Sequence, residues 1–180
     1  MPRQILTHDP VDRFVVGTVG VPGERTFFVQ ARTGTLVTSV VLEKSQVSLL
    51  VERLDELLAD LGDRYDLEVP EPGPADLEPL DVPLVEEFRI GAIAFGWDAL
   101  TEQMLFELHE TTDDEVDPTE LGDEDDGPAM LRVRARIEQV VDFIDRARRV
   151  VAAGRPPCPF CQQPLDPRGH ICPRANGYRR

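Results

Sequence analysis

The spacing of apolar residues in the first part of the chain changes from short alternating runs to a helical period. Three β-branched and aromatic segments, separated by short turn sequences, predict a three-stranded antiparallel meander. These segments are 14–19, 26–31 and 36–42. Apolar residues then recur every three or four positions over 45–61, which predicts an amphipathic helix beginning near Ser45 and stopping at Gly62.

The same order of patterns returns in the second part of the chain. Strand-like segments span 87–95, 102–109 and 129–135, and a helical period runs from Val140 to about Ala153. The sequence Gly-Trp-Asp-Ala at 96–99 predicts a turn between the first two of these strands. Trp97 is then a core plug at the end of the hairpin or, less commonly, an exposed contact residue. Each half therefore reads strand, strand, strand, helix.

A weak internal similarity supports this reading, since a shift of 93 residues places Gln46-Val47 on Gln139-Val140. Internal duplication remains a hypothesis, because two amphipathic helices resemble each other by default. The predicted fold class is α+β, with two βββα units forming one domain. Its antiparallel sheet carries helices on one face, or its two units form two layers.

Two irregular segments interrupt this pattern. Residues 66–83 contain five prolines among acidic residues and predict an extended linker. Residues 110–126 hold ten acidic residues and no basic one, so we expect a solvated loop over 110–128. We place the domain at 1–154, with its folded core over 12–153, and a separate tail at 155–180.

Charge is divided unevenly along the chain. The formal net charge is −15, yet the part from Arg132 onward holds eleven arginines and four acidic residues. The acidic body argues against general nucleic-acid or membrane-surface binding, whereas the basic end leaves a local exception open. No run is apolar enough for a membrane span, and no signal-peptide pattern opens the chain. We expect a cytoplasmic protein.

The tail carries the clearest chemistry. All three cysteines lie there in a Cys-x2-Cys, eight-residue, His-x-Cys arrangement, formed by Cys158, Cys161, His170 and Cys172. Thiolate and imidazole are ligands that zinc prefers, and four of them close a tetrahedral structural site. We therefore predict one structural zinc. The alternatives are an unmetallated tail with exposed thiols, and a redox pair, which the absent βαβ context disfavours.

Motifs for catalysis are weak elsewhere. The sequence has no P-loop, dinucleotide fingerprint, nucleophile elbow or His-Glu-x-x-His motif. The acidic loop does not fit a calcium hand, because Pro118 stands where the geometry requires glycine. His109, with Glu107 and Glu110, is a candidate acid–base or metal group, although a strand-end histidine is more often structural.

An arginine row in the last predicted strand offers a candidate contact for an anion or a partner. Arg132, Arg134 and Arg136 alternate and so share a strand face. The alternative is an exposed face balanced by the acidic loop. Two function classes follow: a non-enzymatic binding or adaptor module, whose partner is a protein or less readily a nucleic acid, and an enzyme for a phosphorylated or anionic small molecule.

Three stretches resemble an uncharacterised conserved actinobacterial family. They are Phe-Val-Val-Gly-Thr-Val-Gly from Phe14, the Phe-Gly-Trp-Asp sequence at 95–98, and the ending that contains the cysteines and His170. The resemblance spans nearly the whole chain and implies a cytoplasmic bacterial protein with no assigned activity. Members are often encoded beside phosphomutase-like and kinase-like proteins. This association gives no residue a role.

Overall fold

A computed structural model describes residues 2–113, 117–154 and 157–165, together with His170, Cys172 and Arg174. Seven strands and two helices make up its regular structure, with one short 3-10 turn at Pro118–Glu120. In chain order they are β1 Ile5–His8, β2 Arg13–Val19, β3 Thr26–Thr33, β4 Leu36–Leu42, α1 Lys44–Tyr65, β5 Glu86–Asp98, β6 Gln103–Glu110, β7 Met130–Ala135 and α2 Ile137–Ala152.

All seven strands form one mixed sheet in the order β1-β7-β6-β5-β4-β3-β2. Two antiparallel meanders, β2-β3-β4 and β5-β6-β7, lie side by side and are joined by the parallel pair of β4 and β5. A parallel connection needs a crossover, which α1 supplies. The βββα order is therefore present twice. Whether it arose by duplication stays a hypothesis.

The sheet curves strongly enough to bring its distant strands together. Phe14 of β2 and Phe106 of β6 have ring centroids 5.0 Å apart, although four strand spacings of about 4.8 Å would separate them in a flat sheet. Near the same closure, the Val11 N–H donates to the Arg134 carbonyl of β7 at 3.3 Å. Curvature therefore gathers both halves of the chain around one core.

Successive residues along the strands point to opposite faces of the sheet, so the two apolar clusters show which residues lie on which face. Phe14, Val16 and Phe27 belong to the large cluster that includes the buried faces of α1 and α2. The intervening Val15 and Phe28 face the other way, where Leu80 covers them. Both helices thus pack on one face, as expected for an α+β fold. The sheet is mixed, however, where an antiparallel one was predicted, because β1 pairs with β7 and β4 with β5 in parallel.

The segment that covers the opposite face is a strap, residues 73–81, within the proline-rich stretch. Arg146 of α2, which is buried, donates to the carbonyls of Val16, Asp76 and Glu78 at 2.7–2.8 Å. Arg13 of β2 holds the strap with a two-nitrogen contact to the Asp76 carboxylate. The strap is extended, as predicted for this segment, but it is bound along the β2 edge of the sheet and is not a free linker.

The first strand corrects the predicted strand number and core limit. Ile5–His8 pairs in parallel with β7, so the sheet has seven strands where six were predicted. His8 and Val11 are fully buried, and the core therefore begins before residue 12. This pairing joins segments about 125 residues apart, which no local pattern reveals.

Helix α1 corrects both predicted ends. Its N-cap is Glu43, not Ser45, and a capping box forms between Glu43 and Gln46. The helix continues through Gly62 to Tyr65 and stops at Asp66, which is left-handed at φ 51°. Leu61 is buried, so packing continues to the last turn and outweighs the weak helix preference of glycine.

Strand β5 is longer than predicted. Gly96, Trp97 and Asp98 remain in the strand and pair with β6, so the turn falls at 99–102 instead. Trp97 is half-buried and packs against the margin of the core. Among the helices in the described part of the chain, neither combines the length and apolar character needed to cross a membrane.

Candidate metal centre

The Cys-x2-Cys segment folds into a small closed turn just beyond α2. Pro157 and Pro164 form a β-bridge, the Cys158 N–H donates to the Gln163 carbonyl at 2.8 Å, and the Gln162 N–H donates to the Cys158 carbonyl at 2.8 Å. Gln162 adopts a left-handed conformation at φ 62°. This turn, residues 157–164, is called the knuckle below, and it directs both cysteines to one side.

His170 and Cys172 approach the knuckle from the far end of the tail. Cys158 Sγ lies 3.9 Å from Cys172 Sγ, and Cys161 Sγ lies 3.3 Å from His170 Nε2. One ligand atom from each of the four residues lies within 4.8 Å of every other. The structure therefore brings together all four residues that the sequence selected.

Two of the separations between these atoms are close to those of a tetrahedral site with the dimensions of zinc. Zinc–sulfur bonds of about 2.3 Å at the tetrahedral angle separate two sulfurs by about 3.8 Å. A zinc–nitrogen bond of about 2.0 Å gives a sulfur–nitrogen separation of about 3.5 Å. Both values lie close to the two measured separations, so the geometry accommodates a metal of this size.

The environment of Cys158 favours a thiolate. Burial raises the pKa of this thiol, but hydrogen bonds from the backbone N–H groups of Cys161 and Phe160 and from the Cys161 and Cys172 side chains together outweigh it, so the pKa lies below its ordinary value. Cys158 and Cys172 are buried, whereas Cys161 and His170 are partly exposed. Thiolate is the form that binds metal.

The rest of the tail, 155–180, was predicted as a separate unit around this site. Most of it, including residues 155–156, 166–169 and 175–180, lies outside the described residues. Arg174 is described, and its guanidinium donates to the Phe160 carbonyl at 3.3 Å. The proposed domain boundary at residue 154 therefore stays a prediction.

The arginine row lies on one side of β7 but is already paired with carboxylates. Arg132 contacts Glu107 and Asp123, each at 2.7 Å. Arg134 contacts Asp98 at 2.9 Å, and this pairing lowers the pKa of Asp98 to about 2. Arg136 lies beyond the strand as the N-cap of α2, with Glu138 4.0 Å away.

These pairings match the alternative in which acidic residues balance the row. An incoming anion would have to displace Glu107 or Asp98, so Arg132 and Arg134 do not form a vacant anion pocket. The contact role predicted for Arg132, Arg134 and Arg136 stays a prediction.

His109 is placed in a buried structural contact. Its Nδ1 lies 2.6 Å from Nη2 of Arg3, and burial, followed by the Arg3 charge, lowers the pKa of the imidazole. Its predicted neighbours are engaged elsewhere, because Glu107 binds Arg132 and Glu110 accepts the Ala129 N–H at 3.1 Å. The three residues do not form an open acid–base cluster.

The acidic loop was predicted to be solvated, but its described part is held by contacts with arginines. Arg3 donates to the carbonyls of Pro118 and Leu121, and Arg132 binds both carboxylate oxygens of Asp123. Residues 114–116 lie outside the described part. The charge of Asp123, which was predicted to face solvent, is therefore paired with Arg132 of β7, whereas Arg3 binds backbone carbonyls of the loop.

A cavity of about 670 Å³ that no sequence pattern predicted lies beside the knuckle, where Gly154 and Pro164 are part of its lining. Three basic residues reach it from separate parts of the chain: Arg25 from just before β3, Lys44 from α1 and Arg89 from β5. The one sequence feature that could have pointed to this cavity is Lys44, the single lysine of the chain, but the sequence does not reveal which residues surround it. This cavity is called the basic groove below.

Comparison with known proteins places the chain in a family. Neither the search of curated proteins nor the search of solved structures found a match. A family model described as a protein of unknown function, DUF3090, matches residues 6–172. That match spans both meanders, both helices and the four residues of the candidate metal centre, and the chain belongs to this family.

Proposed function

We propose that this chain is a binding module, not an enzyme, whose tail is fixed by one structural zinc ion. The observation that carries the proposal is the convergence of Cys158, Cys161, His170 and Cys172, with their ligand atoms within 4.8 Å of one another. Three sulfurs and one imidazole nitrogen form a typical closed zinc-ligand set. No coordination position is then left for water or substrate, which favours a structural role.

The engagement of the other histidines supports a binding role. His8 contacts the hydroxyls of Thr33 and Thr38 at 3.0 and 2.8 Å, and His109 contacts Arg3. Both imidazoles are fully buried and have lowered pKa values, because burial disfavours the charged form. Neither is placed to exchange protons with a bound substrate.

The knuckle offers the partner-binding surface of this proposal. Phe160 lies at its tip and is 63% exposed, and its backbone is fixed between two zinc ligands. A rigid exposed aromatic is a common anchor in protein interfaces. We place the partner protein on the knuckle and on the adjoining arginine-rich end of α2, which carries Arg148 and Arg149.

Affinity capture from native lysate of the source cells tests this role, with the full chain immobilised before and after treatment with a zinc chelator. A specific partner should be captured by the zinc-loaded chain and lost with Cys161→Ser or with Phe160→Ala. Leu100→Ala is the matched control, because Leu100 is 97% exposed on the β5–β6 hairpin, away from the knuckle in sequence. Identical capture by the wild-type chain, Cys161→Ser and Phe160→Ala would contradict the proposal.

A further inference from the structure

The basic groove lies where the starts of β3 and α1 meet the end of α2 and the knuckle. Its walls combine charged, apolar and glycine positions from these elements. They are Gly23, Arg25, Thr26, Phe27, Val41, Leu42, Glu43, Lys44, Arg89, Val151, Ala152, Gly154 and Pro164. A volume of about 670 Å³ lies in the range of small-molecule sites, about 300–1,000 Å³.

Positive charge is concentrated here in a chain whose net charge is −15. Arg25, Lys44 and Arg89 line the groove, and Glu43 is the one carboxylate among the lining residues. Glu43 is already occupied, because it binds Arg89 at 2.7 Å and caps the first turn of α1. The lining therefore carries two positive charges in excess.

Two of these cations have no carboxylate partner in the part of the chain that the structure describes. Arg25 donates to the Val150 carbonyl at 3.2 Å and lies over the Phe27 ring. Lys44 makes no hydrogen bond or ion pair with a described residue. Arg13, Arg132 and Arg134, in contrast, are each paired with carboxylates.

The unpaired cations converge on one position. Lys44 Nζ and Arg25 Nη2 lie 3.4 and 3.8 Å from the point where a side chain on Gly154 would begin. Two like charges placed around one point in this way repel each other, which favours an anion in the space between them. Gly154 leaves the space open, and Phe27, Leu42 and Val151 provide an apolar wall beside it.

We infer that the basic groove binds a small molecule that carries a phosphate group, held by Arg25 and Lys44 with Arg89 at its margin. The excess of two positive charges matches a dianionic phosphate, and an arginine fork with a lysine ammonium is a common phosphate-binding pair. The apolar wall favours a ligand with a nonpolar body. None of these residues is a proposed zinc ligand, so the inference extends the proposed binding role to a second ligand.

Isothermal titration of the full, zinc-loaded chain tests the site with phenyl phosphate, inorganic phosphate and benzoate at constant ionic strength. Phenyl phosphate should bind saturably with one site per chain, inorganic phosphate more weakly, and benzoate least. Lys44→Gln should weaken phenyl phosphate binding by about tenfold, because it removes a charged hydrogen-bond donor. Arg25→Gln should have an effect of the same order.

A charge-matched control is available on the same helix. Arg53 is exposed on α1 and pairs with Glu56 one turn away, so Arg53→Gln should leave binding within about twofold of wild type. If Arg53→Gln and Lys44→Gln weakened phenyl phosphate binding equally, the effect would come from the overall charge of the protein, and the proposed site would be overturned. Absence of saturable phenyl phosphate binding, or equal binding of benzoate, would overturn it as well.

A steric variant separates this site from the metal centre. Gly154→Leu keeps every charge but fills the position between Lys44 and Arg25, so it should weaken phenyl phosphate binding by about tenfold or more. Zinc content is measured on each sample. Normal zinc with no phenyl phosphate binding in the wild-type chain would reject the groove alone, whereas missing zinc would reject the proposed metal site whatever the groove binds.

Discussion

Arg3 and His109 form a buried pair in which the Arg3 guanidinium donates to His109 Nδ1 at 2.6 Å. This places the imidazole proton on Nε2, and leaves that atom without a hydrogen-bond partner among the described residues. Arg3 also donates to the carbonyls of Pro118 and Leu121. Arg3 therefore ties the N-terminal segment both to the acidic loop and to a neutral histidine on β6.

The pH dependence of stability follows from this pair and from His8. Burial lowers the pKa of both histidines, and the Arg3 charge lowers that of His109 further. The unfolded chain therefore binds protons first as pH falls below about 6.5, and the free energy of unfolding should decrease from there down to the folded pKa values. Urea unfolding between pH 8 and 5.5 measures this loss.

Direct NMR titration of the two imidazoles checks the cause. Both should titrate below the ordinary imidazole pKa of about 6.5. A His109 pKa at or above that value would contradict the neutral pairing with Arg3.

Arg146 should be one of the most sensitive positions outside the apolar core. Arg146→Ala removes the donor to the Val16, Asp76 and Glu78 carbonyls and one of the two arginine partners of the Asp76 carboxylate, which keeps Arg13. Losing one member of such a buried network should lower the free energy of unfolding by about 3–5 kcal/mol. Arg148→Ala, two residues along α2 at an exposed pair with Asp55, should cost less than about 1 kcal/mol. Similar losses for the two variants in urea unfolding would contradict the role of the strap.

Gly17 should tolerate no side chain, because the strap passes directly over it. A Cβ atom at Gly17 would lie 2.6 Å from two carbons of the Leu80 side chain. Gly17→Val should therefore displace the strap and lower the free energy of unfolding by about 1–3 kcal/mol.

Gly96 on β5 is the matched control for this substitution. A Cβ at Gly96 meets nothing within 4 Å, so Gly96→Val should change stability by less than about 1 kcal/mol. Limited proteolysis should cut the 66–85 segment faster in Gly17→Val than in Gly96→Val. Equal cleavage would show that Leu80 does not anchor the strap.

The main domain should remain folded after the metal is removed. Its core is built from all the long strands and both helices, and no metal ligand belongs to it. Chelation, or Cys161→Ser, should increase amide hydrogen exchange around the knuckle while the main thermal transition persists. Arg53→Gln keeps all four candidate metal ligands, so this variant, chelated in parallel, is the folded comparison for Cys161→Ser. Loss of the whole transition on chelation would show that the zinc site supports the entire fold.

Features with a local period were predictable from the sequence. The apolar faces of α1 and α2 follow from spacing, and the four metal ligands follow from residue type and separation. Gly62 misled because glycine often ends a helix, whereas buried Leu61 extends the packed face past the expected stop. The local pattern predicted the helix correctly, and tertiary packing determines where α1 ends.

Features that join distant segments were not predictable. Strand β1 has only four residues and owes its place to pairing with β7. The strap is fixed by Arg13 and Arg146, which are 63 and 70 positions from Asp76. The basic groove likewise brings together Arg25, Lys44 and Arg89 from three distant parts of the chain, and no pattern of sequence spacing links these residues.

Zinc content per chain tests the central claim most directly. Full-length protein purified without chelator, and Cys161→Ser purified in parallel, are compared by elemental analysis together with thiol titration under native conditions. One zinc per wild-type chain, protected thiols and little zinc in Cys161→Ser are the results predicted by the Cys158, Cys161, His170 and Cys172 site. Zinc near zero in the wild-type chain, with three freely titrating thiols, would contradict it.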